Sequence, residues 1–227
     1  MEVIKVQEIE ITIERKAIKH MYLKVRPPTA DVLISAPDRT KTETIRNFVV
    51  NKLSWIRKQQ GKINSRKPEK PCNYVDRESH YLWGEKYPMT IVESAKWNVN
   101  LENKTIVLET PSDASFYQKQ QMISAWYRQK LKQVIPKLIK KWEPTIGVKV
   151  NNFFVQQMKT KWGSCNITAG NIRLNTELAK KPPICLEYVV VHEMTHLLEA
   201  SHNKRFKALL DKFLPQWREH EQMLDRI

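Results

Sequence analysis

The sequence has few cysteines and no long apolar run. Its 227 residues include only three cysteines, Cys72, Cys165 and Cys185, and this odd number at irregular spacing gives no reason to expect a disulfide framework. No stretch approaches the roughly 18 apolar residues that a transmembrane helix needs. The first residues, "MEVIKVQEIEITIERK", lack the apolar segment of a secretory signal. We therefore expect a cytoplasmic protein with no membrane partner.

Acidic residues are scarce relative to basic ones. The chain has 24 Asp and Glu against 39 Lys and Arg, which gives a formal net charge of +15. Residues 128–141 carry six basic side chains and no acidic one. Such a charge can bind phosphates, nucleic acid or acidic proteins, or it can form only a solvated basic face. The sequence leaves these readings open, and it gives no indication of an oligomeric state.

The pattern of apolar residues predicts an α+β fold with a β-rich N-terminal part. Residues 8–16, 20–27 and 31–37 alternate or are rich in β-branched side chains, and we interpret them as a small meander. Thr40 and Glu43 have the spacing of a capping box, which predicts one helix from there to about Lys58. Further strands are predicted between residues 81 and 110. We place this β-rich region at 1–112 and a second region at 113–227, with the option that both pack as one compact body.

The second region is predicted to begin with a long basic helix. Apolar residues recur at helical spacing from Ile123 to Trp142, and Pro136 is expected to kink or interrupt the helix. The order of elements also echoes the N-terminal part. In both regions a hairpin precedes a helix that carries a tryptophan, Trp55 in the first and Trp126 in the second. We treat this echo as a weak sign of an internal repeat.

The stretch "VVVHEMTHLLEASHNKRF", residues 189–206, carries the chemistry of a metal site. On an α-helix, His192 and His196 are separated by about 400°, so both imidazoles lie on the same face. Glu193 completes the His-Glu-x-x-His pattern of zinc hydrolases, in which two histidines bind the metal and the glutamate takes a proton from water. The surrounding residues are apolar nearly all round, so the helix is expected to be buried and to need compensation for its polar groups.

A third protein ligand is expected because catalytic zinc usually has three. His202 would be out of reach, about 15 Å along the axis, if the helix continued unbroken. The residues "EASHN" predict a break, since Ser201 or Asn203 can cap a new helix. The spacing to His202 equals that of the metzincin motif, but Glu199 stands where that motif has glycine. Glutamates and His220 further along the chain remain the alternatives to His202.

Upstream, the stretch "KWGSC", residues 161–165, has two possible roles, to line a metal cleft or to support the metal helix. Gly163 permits a turn or a close approach of the backbone, and Trp162 is a packing anchor. Ser164 and Cys165 can donate hydrogen bonds to a bound oxyanion, or the segment can simply support the metal helix. Cys165 as a zinc ligand has no CxxC pair to support it.

The order of these motifs resembles the YgjP-like metal-dependent hydrolases, relatives of SprT-type and other HExxH peptidases. The similarity rests on "KWGSC", then "NIRLN", then "YVVVHEMTH" and "HNKRF", and is clearest over residues 148–218. It implies that residues 113–227 form a zincin-like catalytic region with a short sheet and a zinc ion or another divalent transition metal. It also implies supporting or substrate-contacting roles for the following residues: Lys161, Trp162, Ser164, Cys165, Arg173 and Asn175.

Three functions follow from these observations. The first is a zinc metallopeptidase that acts on a peptide or protein. The second is a metal-dependent pyrophosphatase, because some members of the family are assigned this activity on UTP. The cations nearest the motifs would then hold the phosphates; they are Lys159, Lys161, Arg173, Lys204 and Arg205. The third is a nucleic-acid-binding module with a structural zinc, which would need a fourth protein ligand and would leave Glu193 without a task.

Overall fold

The computed structural model describes residues 2–26, 29–64 and 72–226. The chain is a mixed α+β protein, which confirms the predicted fold class. It divides into two compact units, Met1–Lys70 and Pro71–Ile227. The division therefore follows Lys70, whereas the sequence analysis placed it after residue 112. Each unit has its own cluster of buried apolar residues.

The first unit contains a four-stranded sheet. Its strands are β1 (Glu2–Val6), β2 (Ile9–Lys16), β3 (Tyr22–Arg26) and β4 (Asp31–Pro37), in the spatial order β1-β2-β4-β3. The predicted meander is wrong, because β2 pairs with β4 in parallel and β3 lies on the outer side of β4. Strand β1 was not predicted. Its short antiparallel pairing with β2 places Ile4 and Val6 in the core.

Two helices follow the sheet instead of the single predicted one. They are α1 (Thr42–Val50) and α2 (Leu53–Asn64), separated by a turn at residues 51–52. The predicted capping box is also wrong. The residue before α1 is Lys41, and its side chain caps nothing. Burial of Ile45, Val49 and Ile56 against the sheet stabilises the helices without that cap.

The second unit begins with a sheet of the same topology. Its strands are β5 (Ser79–Leu82), β6 (Glu85–Glu93), β7 (Asn98–Glu102) and β8 (Thr105–Thr110), in the order β5-β6-β8-β7. As in the first unit, the two middle strands are parallel and the outer pairs are antiparallel. A helix follows the last strand in both units. The weak echo in the sequence therefore corresponds to a repeated strand order.

Helix α3 (Phe116–Ile146) runs through the core of the second unit. Ser115 and Gln118 form a complete capping box at its start. Pro136 lies within the helix without ending it. The buried face of α3 shares one core with β5–β8 and with the elements that carry the metal motif. This shared core explains why the boundary between the two units lies before β5 and not after β8.

The remaining elements build the candidate site. They are β9 (Asn152–Gln156), β10 (Gly163–Asn166), β11 (Asn171–Asn175), a 3-10 helix (Thr176–Lys180), α4 (Pro183–Thr195), α5 (Lys204–Phe213) and α6 (Trp217–Arg226). The three strands form a sheet in the order β10-β11-β9. None of the described helices combines the length and apolar character needed to cross a membrane.

Candidate metal centre

Three histidine side chains converge at the end of α4. The Nε2 atom of His202 lies 2.9 Å from Nε2 of His192 and 3.1 Å from Nε2 of His196. One ring nitrogen from each residue lies within 4.8 Å of the other two. A single hydrogen on His202 Nε2 cannot make linear hydrogen bonds to both neighbours. A cation shared by three lone pairs therefore fits this arrangement better than a proton does.

A turn after α4 brings His202 back toward the helix. The helix ends at Thr195, and His196 is its C-cap residue. The chain then turns at residues 196–203, and α5 begins with Asn203 as its N-cap. The Oδ1 atom of Asn203 accepts a hydrogen bond from the backbone N–H of Phe206 at 3.0 Å. The predicted helix break is therefore present, with Asn203 and not Ser201 as the cap.

The imidazoles are held in orientation by neighbouring groups. His196 Nδ1 lies 3.1 Å from the carbonyl oxygen of Glu199, which can only accept, so Nδ1 carries the hydrogen and Nε2 keeps its lone pair. His192 Nδ1 lies 3.3 Å from the hydroxyl of Tyr188. The buried ring of Phe206 lies under all three imidazoles, with centroid distances of 4.6–5.0 Å. These contacts present three Nε2 atoms to one point.

Burial favours the neutral form of two of these imidazoles. It lowers the pKa of His192 to about 3, with smaller contributions from the nearby His196 and His202. Burial also lowers the pKa of His196. Neutral imidazole is the form that binds metals. The site is thus chemically suited to a divalent cation at neutral pH.

Glu193 lies in close contact with the backbone of β10. It is 5% exposed, and burial raises its pKa to about 8, while the charge of Lys161 acts in the opposite direction. A Cβ atom on Gly163 would lie 2.5 Å from Oε1 of Glu193 and 2.8 Å from its Cγ. Gly163 has no left-handed backbone conformation, so the glycine serves close approach and not a turn.

The histidines and Glu193 open into a cleft of about 480 Å³. All five residues of the "KWGSC" stretch line it: Lys161, Trp162, Gly163, Ser164 and Cys165. Burial, followed by the charge of Glu193, raises the pKa of the Cys165 thiol to about 11. Among the described residues, the group of candidate metal ligands contains the three histidines and not Cys165.

Asn175 supports the cleft from behind and does not line it. Its buried amide binds the loop that precedes β10, accepting from Met158 N–H at 3.3 Å and donating to the carbonyls of Met158 and Lys161 at 2.9 and 2.8 Å. The same Oδ1 accepts from the N–H of Glu177 at 3.2 Å and so caps the 3-10 helix. Asn175 therefore fixes the position of the loop that carries Lys161.

The cations considered from the sequence do not gather at the cleft. Of the five, only Lys161 is among the lining residues. Arg173 extends over the ring of Phe154, 5.5 Å from its centroid. Arg205 lies 3.9 Å from Glu199 at the start of α5. Arg173, which the sequence analysis considered for a supporting or substrate-contacting role, is not among the residues that line the cleft.

Several lining residues were not identified from the sequence. Tyr188 lies one turn before His192, so its position on the same helix face could have been inferred from the i, i+4 spacing. Glu221 and Leu224 reach the cleft from α6. Nothing local marks these two, because the packing of α6 against α4 is a tertiary contact.

The comparisons with known proteins identify the class. The family model described as YgjP-like, metallopeptidase domain, matches residues 19–227. No curated protein matches. Two similar solved structures are metallopeptidase zymogens. Abylysin of Pyrococcus abyssi has 18% identity and a TM-score of 0.37 over 40% of this chain and 90% of its own. Jannalysin of Methanocaldococcus jannaschii has 21% identity and a TM-score of 0.35 over 40% and 92%.

The family match covers most of the chain and identifies it as a metal-dependent hydrolase. The chain belongs to the YgjP-like family, which confirms the resemblance found in its motifs.

Proposed function

We propose that the protein is a zinc peptidase whose metal is bound by His192, His196 and His202. The convergence of three Nε2 atoms at the end of α4 carries this proposal. The described residues supply three candidate ligands at this point, and three protein ligands are typical of catalytic zinc, whereas structural zinc is usually bound by four. This count argues against the nucleic-acid-binding module with a structural zinc.

Bound zinc would polarise the scissile carbonyl and lower the pKa of a water molecule. Glu193 is the general base in this proposal. Burial raises its pKa to about 8, so the positive charge of a bound zinc would be needed to favour the ionised form. In that form Glu193 would accept a proton from the attacking water in the cleft and return it to the leaving amine. Gly163 allows the carboxylate to approach the β10 backbone closely. Asn175 holds the loop that brings Lys161 to the same cleft.

The shape of the cleft supports a peptide substrate. An extended peptide can bind along the edge of a sheet and place side chains in apolar pockets. Strand β11, which contains "NIRLN", is paired on both sides and offers no edge. Strand β10 is one of the two edge strands of this sheet, and its residues line the cleft. Apolar side chains complete the wall; they include Trp162, Ile167, Val189 and Leu224.

The same cleft is poorly equipped for a nucleoside triphosphate. Several cations would have to surround the phosphates. Among the described residues that line the cleft, Lys161 is the only lysine or arginine, and the acidic residue Glu221 also lies there. A pyrophosphatase would therefore have to neutralise most of the phosphate charge with metal alone.

One comparison of substrates tests the proposal. Metal-loaded wild type and Glu193→Gln are incubated with an unfolded protein, a peptide library and the four nucleoside triphosphates. We expect cleavage of peptide bonds by the wild type and none by the variant. Release of diphosphate from a triphosphate, abolished by Glu193→Gln and weakened by Lys161→Ala but not by the matched Lys159→Ala, would replace the peptidase with the pyrophosphatase.

A further inference from the structure

A second cleft, of about 440 Å³, lies in the same unit as the metal centre. It is formed by the first half of α3, the 3-10 helix and Gln157, and it shares no lining residue with the metal cleft. Its walls are mostly polar, with tyrosine and glutamine side chains around one arginine and one lysine. Nothing in the proposed hydrolysis uses these residues.

Two polar groups in the wall of this cleft have no partner in the described part of the chain. The Nε atom of Arg128 is buried without a hydrogen bond, and so is the hydroxyl of Thr176. Thr176 is only 2% exposed. The other cation of the cleft is already engaged, because Lys180 Nζ lies 2.7 Å from the carboxylate of Glu177. Arg128, which is half-buried, therefore keeps a buried Nε donor without an acceptor in the described part of the chain.

An unpaired buried donor is unfavourable. Leaving such a group unsatisfied destabilises the fold, and more so when the group is charged. A guanidinium group binds carboxylates and phosphates through parallel N–H donors, which is the strongest pairing that it makes. The side-chain amides of Gln120, Gln121 and Gln157 line the same cleft and can donate further hydrogen bonds. The volume lies in the range of small-molecule sites.

We propose that this second cleft binds a small oxyanion, a carboxylate or a phosphate, with Arg128 and the Thr176 hydroxyl as its principal contacts. The ligand would compensate the arginine charge and satisfy the threonine. This site is independent of the proposed peptidase chemistry, because the two clefts have separate walls.

Isothermal titration calorimetry of the metal-loaded protein with small anions, at constant ionic strength, tests this site. Sodium succinate represents a carboxylate ligand, and sodium phosphate represents a phosphate ligand. The variants are Arg128→Gln and Thr176→Val, which removes the hydroxyl and keeps the shape. Lys132→Gln is the matched control, because it removes the same charge from an exposed position of the same helix. All proteins keep the histidines, so binding of anions at the metal contributes equally to each titration.

We expect saturable binding of at least one anion to the wild type and to Lys132→Gln, with dissociation constants within about twofold of each other. Arg128→Gln should weaken this binding at least tenfold, and Thr176→Val should weaken it severalfold. An effect with succinate alone assigns the site to carboxylates, and an effect with phosphate alone assigns it to phosphates. The proposal fails if neither anion saturates the wild type, or if the substitutions in the cleft change binding no more than Lys132→Gln does. If Arg128→Gln does not fold, Thr176→Val decides in its place.

Discussion

At the scale of single residues, the site depends on side chains placed within a few ångströms of one another. His202 Nε2 approaches the other two imidazoles to 2.9 and 3.1 Å. The Phe206 ring packs against all three imidazoles. Glu193 is adjacent to His192 in sequence but is oriented by contact with β10. Small changes at these positions should therefore alter activity more than they alter the fold.

Substitution of Glu193 by glutamine should reduce turnover about a hundredfold or more, because the amide keeps the shape and cannot accept a proton. Metal content, measured by elemental analysis, and the circular dichroism spectrum should stay at wild-type values. Glu219→Gln makes the same change at an exposed position of α6 and should keep activity within about twofold. Near-normal turnover of Glu193→Gln would remove this residue from the mechanism.

Substitution of Gly163 by alanine should lower kcat about tenfold to a hundredfold, since the new methyl group would collide with Glu193 and a shift of about 1 Å in a catalytic group has effects of this size. The variant should retain its bound metal, which would show that the lower kcat does not result from loss of metal. The control is Gly61→Ala in α2, where no atom lies within 4 Å of the added methyl group. That change should leave kcat unaltered. Equal kcat values for both variants would disprove the role of close approach.

At the scale of elements, the break between α4 and α5 decides the third metal ligand. The chain turns after Thr195, and Asn203 caps the next helix, so His202 returns to the end of α4. His202→Ala should therefore lower metal affinity at least tenfold, measured by competition with a chelator. His220→Ala, a histidine on α6 outside the cluster, should bind metal as the wild type does. The opposite ranking would move the third ligand to α6.

The loop before β10 is held in place by one buried side-chain amide, that of Asn175. Asn175→Ala would leave the carbonyls of Met158 and Lys161 without their donor. A buried unsatisfied group costs about 1–3 kcal/mol, so we expect a loss of roughly 2–4 kcal/mol in the free energy of unfolding, with lower kcat. Urea unfolding measures the loss. Asn152→Ala, at an exposed position in the neighbouring strand β9, should change stability by less than about 0.5 kcal/mol.

At the scale of the whole molecule, the chain consists of two units with separate apolar cores. Strands β5–β8 contribute buried residues to the core that also contains α3 and α4; examples are Leu82, Met89, Ile106 and Leu108. A fragment of residues 71–227 should therefore fold and bind metal with wild-type stoichiometry. A fragment of residues 113–227 should aggregate or remain unfolded, because it lacks one side of this core. Calorimetry and metal analysis of the two fragments distinguish the boundary at 70 from that at 112.

The local parts of the site could be predicted from the sequence. The spacing of His192 and His196 on one helix face follows from the period of the α-helix alone. The polar residues between Glu199 and Asn203 indicated a helix break, and the family resemblance followed from the order of short motifs. Most of the strands, though not β1, and the α+β class were also accessible, because they depend on the periodicity of neighbouring residues.

Only the tertiary structure decided how distant segments meet. The pairing of β10 with β11 and the packing of both against α4 bring Gly163 to Glu193. The pairing of β11 with β9 places Arg173 opposite Phe154. The shared core joins β5–β8 to the catalytic elements and sets the unit boundary at Lys70. Strand register and core packing depend on contacts between residues far apart in the chain, and local periodicity does not specify which of these contacts form. The sequence therefore determined the chemistry of the metal helix, while packing determined which other side chains share its cleft.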